Sequence, residues 1–250
     1  MNPYTKKQFI IGLVWVVIFA IIIGGIYLLI KSETPPVNNG NQNEPKEDLI
    51  ILSQSFILTT ENNFDLVAKI KNSNNEWAAE SFTYVFNLYD SANQLIGSRQ
   101  GKSYILPQET KYIIEQKVSS QKSISKIELK ISNVYWGKIS QLGGLELRVK
   151  NTEYQILEDG SNLFTGTVEN KSSYDLDTIE VAGVLLNENN EIIAAGKTSM
   201  NTVLRNESRG FEIFWPYPIA QETKSFDARA YTNIFLNDNF IKTQGEPPKE

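Results

Sequence analysis

Residues 82–90 read FTYVFNLYD, and this stretch decides the fold class. Phe82, Tyr84, Phe86 and Leu88 alternate with Thr83, Val85 and Asn87. A period of two, rich in aromatic and β-branched residues, turns one set of side chains to a core and the other to water. Asp90-Ser-Ala-Asn93 follows with turn residues, whose short polar side chains accept local backbone N–H groups. Upstream, Leu66, Ala68 and Ile70 alternate with more polar neighbours before the turn-forming Asn72-Ser-Asn-Asn-Glu76. Turn signals of this kind recur roughly every 8–15 residues, the spacing of an antiparallel sandwich of about seven strands.

The same pattern is written twice. With an offset of about 98 residues, a period long enough for one whole domain per copy, Asp65–Asn72 lies over Leu163–Asn170 and Leu88–Ile96 over Leu185–Ile193. In the same order, Leu106–Glu109 lies over Leu204–Glu207 and Ser132–Trp136 over Thr232–Leu236. Four blocks in register predict two copies of one fold, each of about 95 residues, enough for an independent core. Gln141-Leu-Gly-Gly144 is the predicted joint, because its glycine pair interrupts the strand pattern.

The segment Phe86-Asn-Leu-Tyr-Asp90, with Leu95-Ile-Gly97 and Leu106-Pro-Gln-Glu-Thr110 after it, resembles the FxLYD domain. The resemblance implies an immunoglobulin-like β-sandwich of the kind found in bacterial and archaeal surface or secreted proteins. It implies no catalytic residue. The second copy has Val184-Leu-Leu-Asn187 at this place and joins the first through the repeat. In the motif, Phe86 and Leu88 are expected to face the core, Tyr89 to lie over the sheet edge with its hydroxyl wet, and Asp90 to accept turn N–H bonds.

Residues Phe9 to Ile30, FIIGLVWVVIFAIIIGGIYLLI, carry no charge. About 22 residues at 1.5 Å each cover about 33 Å, enough to cross a bilayer core as a helix. The run outlasts a signal peptide's apolar region and ends at Tyr27-Leu-Leu-Ile-Lys31 without a small-residue cleavage site, so an uncleaved signal anchor is expected. Lys6 and Lys7 before it, against Lys31 and Lys46 after it, place the N-terminus in the cytoplasm and the body outside. Ala20 and Gly24 form a small-xxx-small pair, a weak dimer signal. The following KSETPPVNNGNQNEPKE is too polar to offset its ordering entropy and reads as a stalk.

Composition narrows the chemistry. The chain has no cysteine and no histidine, which excludes disulfides, Cys or His zinc sites, and Cys–His or Ser–His–Asp catalysis. A net charge of −5 argues against nucleic acid as partner. No phosphate or dinucleotide loop occurs. The closest carboxylate pair, Glu158-Asp159, precedes Gly160 in a predicted hairpin turn. Asn187, Glu188, Asn190, Glu191 and Asp238 offer oxygen ligands for calcium without an EF-hand pattern. Trp215-Pro-Tyr-Pro218 interrupts a strand, its prolines barring a central ladder position, and reads as an edge or loop. Its aromatics are expected to plug their own sandwich, with sugar stacking or a partner as the alternative. Asn170-Lys-Ser172 and Asn206-Glu-Ser208 match the glycosylation pattern.

The expectation is therefore an all-β chain of two tandem immunoglobulin-like β-sandwiches preceded by one transmembrane α-helix. The divisions are 1–8 cytoplasmic tail, 9–30 transmembrane helix, 31–47 flexible linker, 48–140 first sandwich, 141–240 second sandwich and 241–250 disordered tail. No catalytic, cofactor or metal residue is expected, and no cofactor. The bilayer is the partner of Phe9 to Ile30, and the body is expected to bind a protein or envelope polymer. The alternatives are an accessory subunit of an envelope or secretion complex and, behind it, a carboxylate-dependent hydrolase.

Overall fold

The alternation at Phe82–Leu88 builds a strand whose core side chains are almost sealed. Phe82, Tyr84, Phe86 and Leu88 are all buried, while Val85 and Asn87 stay half-exposed. The computed structural model describes residues 46–139 and 144–237, and these are all-β, without a helix. The expected span at 9–30, its flanking tail and most of the linker lie outside the described residues, as do Gln141–Gly143 of the joint and residues 238–250.

Twelve strands form four antiparallel three-stranded sheets. The first half contributes β1 (Ile50–Thr60), β2 (Asn63–Lys71), β3 (Trp77–Tyr89), β4 (Leu95–Ile105), β5 (Thr110–Ser119) and β6 (Lys126–Lys138). The second contributes β7 (Leu147–Ile156), β8 (Asn162–Asn170), β9 (Leu176–Leu186), β10 (Ile192–Val203), β11 (Ser208–Trp215) and β12 (Ser225–Tyr231). Sheet orders are β1-β2-β5 and β4-β3-β6 in the first half, β7-β8-β11 and β10-β9-β12 in the second. The pairing pattern is thus the same in both. Each half has six strands among the described residues, one fewer than the seven expected from turn spacing.

Within each half the two sheets face each other over a core, as in a β-sandwich. Leu66, Ala68 and Ile70 of β2 meet Phe82, Phe86 and Leu88 of β3. Phe164, Phe211 and Trp215 meet Ile179, Val181 and Leu185 across the second half. A third cluster departs from the expected half-buried pattern. Val67, Tyr112 and Ile114, on the outer side of β2 and β5, pack on Ala182, Val184, Ala195 and Tyr231 of the second half. Strand β2 is therefore buried on both faces, with Leu66, Val67 and Ala68 all at 0% exposure. Four sheets stack in the order β4-β3-β6, β1-β2-β5, β10-β9-β12, β7-β8-β11, and the described residues fall in one compact unit.

The hydrogen bonds repeat with the strands. Asn72 is fully buried, and its amide donates to the carbonyls of Trp77 (2.7 Å) and Leu106 (3.0 Å) while its Oδ1 accepts from Asn74 N–H. Asn170 does the same with Tyr174 (2.8 Å) and Val203 (3.0 Å), and accepts from Ser172. Glu109 caps Leu106 N–H, and Glu207 caps Leu204 N–H. Asp90 accepts from Ala92 and Gln94, and Asn187 from Asn189 and Glu191. These Asx bonds satisfy turn backbone that the sheets leave unpaired. The fourth block differs: Ser132–Trp136 continues β6, whereas Thr232–Leu236 lies past the end of β12. Leu88 pairs with Ile127 and Leu185 with Phe226, so β12 aligns with β6 one residue away from the offset the block suggests.

Replacing Asn170 by Ala strands two or more buried backbone carbonyls, each costing about 1–3 kcal/mol. The expected loss is about 2–4 kcal/mol, read as a lower urea midpoint at unchanged slope, with Asn72→Ala giving a loss of the same order.

Candidate functional site

The seam between the halves is framed by polar groups that sheet geometry brings together from distant sequence. Asp65, on the outer side of β2, is 2% exposed. Its Oδ1 accepts from Lys117 N–H at 2.9 Å, and its Oδ2 from the Tyr217 hydroxyl at 3.1 Å. Burial holds this carboxyl above its ordinary 3.8, and the Lys117 and Tyr217 bonds offset only part of that. At another point of the seam, Asp227 of β12 accepts from the Tyr112 hydroxyl at 2.9 Å and from Arg229 Nε at 3.1 Å, with Lys69 Nζ at 3.5 Å. Burial pushes Asp227 up, but these donors and cations outweigh it and hold it below 3.8. Tyr112 N–H donates to the Tyr231 hydroxyl at 3.1 Å, a main-chain to side-chain bond made across the halves.

Two concavities flank this seam, at opposite edges of sheet β1-β2-β5. Along edge strand β1, Ser53–Leu58 face Asn190–Ile193 and Tyr217–Gln221 across a groove of about 640 Å³. Each of the four sheets has two edge strands, and among all of these β1 alone contains no charged residue. Its ladder to β2 is irregular between Ile51 and Ser53 and again between Leu58 and Thr60. Bulges and edge charges both discourage strand addition. Here the bulges leave a regular, uncharged stretch, Ser53–Leu58, and it is this stretch that lines the groove. Gln54 holds the edge in place: its amide donates to Ile127 O, and its Oε1 accepts Leu129 N–H at 2.7 Å.

At the β5 edge, a cavity of about 560 Å³ lies against Lys111, Tyr104, Tyr231, Glu80 and Glu180. Lys111 Nζ sits 3.5 Å from the centre of the Tyr104 ring and 4.7 Å from that of Tyr231. Burial lowers its pKa, while Glu109 and Glu180 oppose that shift.

The residues singled out in the sequence fall as follows. Glu158 and Asp159 sit in the β7–β8 turn, where Gly160 takes φ +81° and Asp159 Oδ1 accepts from Ser161 N–H at 2.9 Å. Asn187 of the oxygen-rich loop is tied to Asn189, Glu191 and Gln221, and Asp238 lies outside the described residues. Among the described residues no group of three or more acidic side chains is placed to hold a metal. Trp215 closes its own core, 1% exposed, with Nε1 donating to Ala195 O at 3.1 Å. Tyr217 instead reaches the other half. The Tyr89 hydroxyl donates to Glu128 Oε2 at 3.0 Å, because β6 runs beside β3. Asn170 is fully buried with its amide in use, so the folded chain cannot offer it for glycosylation. Lys111, Asp65 and Asp227 carried no local sequence signal, since each owes its setting to the other half.

No family model and no curated protein matches the chain. Among solved structures, an exo-chitosanase, CsxA, from Amycolatopsis orientalis aligns at 12% identity and TM-score 0.26, over 72% of this chain and 25% of that one. Red sea bream transglutaminase aligns at 10% identity and TM-score 0.23, over 79% and 32%. The chain thus spans about a quarter to a third of the proteins it aligns with.

The two seam carboxyls titrate with opposite sign. Asp65, raised, favours folding most below 3.8, and that contribution falls as pH rises through its folded value. Asp227, lowered, stabilises above 3.8 and loses its contribution as pH falls through its folded value. Tyr217→Phe is expected to cost about 1–2 kcal/mol and to raise the Asp65 pKa further, read by carboxyl ¹³C NMR titration. Asp227→Asn is expected to lower stability by about 1–2 kcal/mol at neutral pH and to flatten its acid-side fall, read from urea midpoints between pH 3 and 7.

Proposed function

We propose that this chain is a non-enzymatic, membrane-anchored envelope protein whose body consists of two tandem immunoglobulin-like modules and binds a protein partner outside the cytoplasm. The uncharged stretch at Phe9–Ile30 supports the anchor, and the Lys6-Lys7 pair supports a cytoplasmic N-terminus. The order β1-β2-β5 against β4-β3-β6 supports the immunoglobulin-like reading: it corresponds to strands A-B-E and C′-C-F of that Greek key. The resemblance of Phe86–Asp90 to the FxLYD domain supports the same reading.

The single observation that carries the binding role is the groove at β1. A regular six-residue edge, free of charge and flanked by a wall containing Tyr217, Pro218 and Ile219, suits an extended, uncharged segment of a partner added as a further strand. Main-chain hydrogen bonds would supply affinity, and the wall would read alternate side chains.

Two measurements test this. Residues 9–30 are expected to keep the chain in the membrane pellet through carbonate washing; release would overturn the anchor. A photo-crosslinking residue at Ser53, exposed on β1, is expected to capture a partner in cells, whereas one at Ser98 on β4 is not. Leu58→Lys, at a side chain 63% exposed, is expected to reduce the crosslink at least tenfold while changing stability by under about 0.5 kcal/mol. Equal capture from both positions would overturn the groove. Loss of capture only when 9–30 is exchanged for another span would transfer the role to membrane assembly.

A further inference from the structure

The cavity at the β5 edge is lined by an ammonium group that no acceptor among the described residues bonds. Lys111 is 2% exposed and lines the cavity. Among the described residues its Nζ makes two ring contacts, to Tyr104 and Tyr231, and neither a hydrogen bond nor an ion pair. Ring faces attract the charge but accept none of its three N–H donors in the linear geometry of a hydrogen bond. Its N–H donors are therefore left to whatever occupies the cavity, where an acceptor of a bound ligand can meet them. Glu109, two residues before it, supplies opposing charge without a hydrogen bond to Nζ, its Oε2 capping the Leu106 N–H at 2.8 Å.

The surrounding charges limit what can enter. The lining holds two cations, Lys102 and Lys111, and three carboxylates, Glu80, Asp177 and Glu180. A multiply charged anion would meet those carboxylates at short range in a partly desolvated space. An apolar ligand would seal Lys111 away from water without replacing its hydrogen bonds. A ligand with one carboxylate and one ammonium satisfies both sides. Tyr231 adds a second donor beside Lys111, since its oxygen already accepts Tyr112 N–H and its own proton is directed elsewhere. The volume of about 560 Å³ is in the range of small-molecule sites.

We propose that this cavity is a binding site for a small zwitterion of the α-amino-acid class. The carboxylate accepts from Lys111 Nζ, and the ammonium group faces Glu180. The site is distinct from the β1 groove and does not depend on a strand partner.

The test uses the full chain labelled with ¹⁵N at lysine Nζ, the Lys111 signal being the one missing in Lys111→Met. The twenty amino acids are titrated singly, beside acetate and inorganic phosphate. At least one amino acid is expected to shift the Lys111 signal saturably, with a dissociation constant at least tenfold below that of acetate. Glu180→Gln, at a half-exposed position that leaves the core untouched, is expected to weaken the amino acid about tenfold and leave acetate unchanged. If Lys111→Met fails to fold, Lys111→Arg, which keeps the cation, identifies the same signal by its loss. A Lys111 signal that no amino acid moves overturns the proposal. So does acetate or phosphate binding as tightly as any amino acid, because that makes the site a simple anion site.

Discussion

The structure depends on one constraint: β2 and β9, the central strands of sheets β1-β2-β5 and β10-β9-β12, are buried on both faces. Val67, Ile114, Ala182, Val184 and Ala195 form the apolar floor between them. Each larger side chain sealed there contributes about 1.5–3 kcal/mol. Small, polar contacts between neighbouring domains leave relative motion as the ordinary outcome. A dry floor framed by Asp65–Tyr217 and by Asp227 with Tyr112, Lys69 and Arg229 does the opposite and makes the two halves one body.

This frame also explains where buried charge is tolerated. A carboxylate taken out of water needs donors, and Asp65 receives one from its own half and one from the other. Lys111 receives aromatic faces from both halves, Tyr104 and Tyr231, but no acceptor among the described residues. Asp65 is thus bonded from both halves, whereas Lys111 is held by rings and faces the cavity. The groove and the cavity lie at the two free edges of one sheet, because there the stacked sheets part and backbone or side chain meets solvent.

The two halves show what duplication preserves. The Asx bonds of Asn72 and Asn170, the turns at Asp90 and Asn187, and the caps by Glu109 and Glu207 occupy the same places in both copies. These are local solutions to unpaired backbone, and any copy of the fold needs them. The residues at the seam have no such equivalence. Val67 and Tyr112 lie on the outer side of the β1-β2-β5 sheet in one half, while Ala182 and Val184 lie on the β10-β9-β12 sheet of the other. The halves join through different sheets, so their contact side chains differ while their turn bonds match.

The chain's order along the sequence was enough to read the strand class from the period of two at Phe82–Leu88, the turns at Asp90 and Asn187, the hairpin turn at Gly160 and the interrupted strand at Pro216. Each follows from steric or hydrogen-bonding rules acting within a few residues. Tertiary structure alone decided that β2 has no wet face, that Tyr89 and Tyr217 bond to carboxylates 39 and 152 residues away, and that Lys111 lies between two rings. Local periodicity records which side of a strand is apolar, but not what a second sheet will cover. The burial and partners of Lys111 and Asp65 depend on residues of both halves.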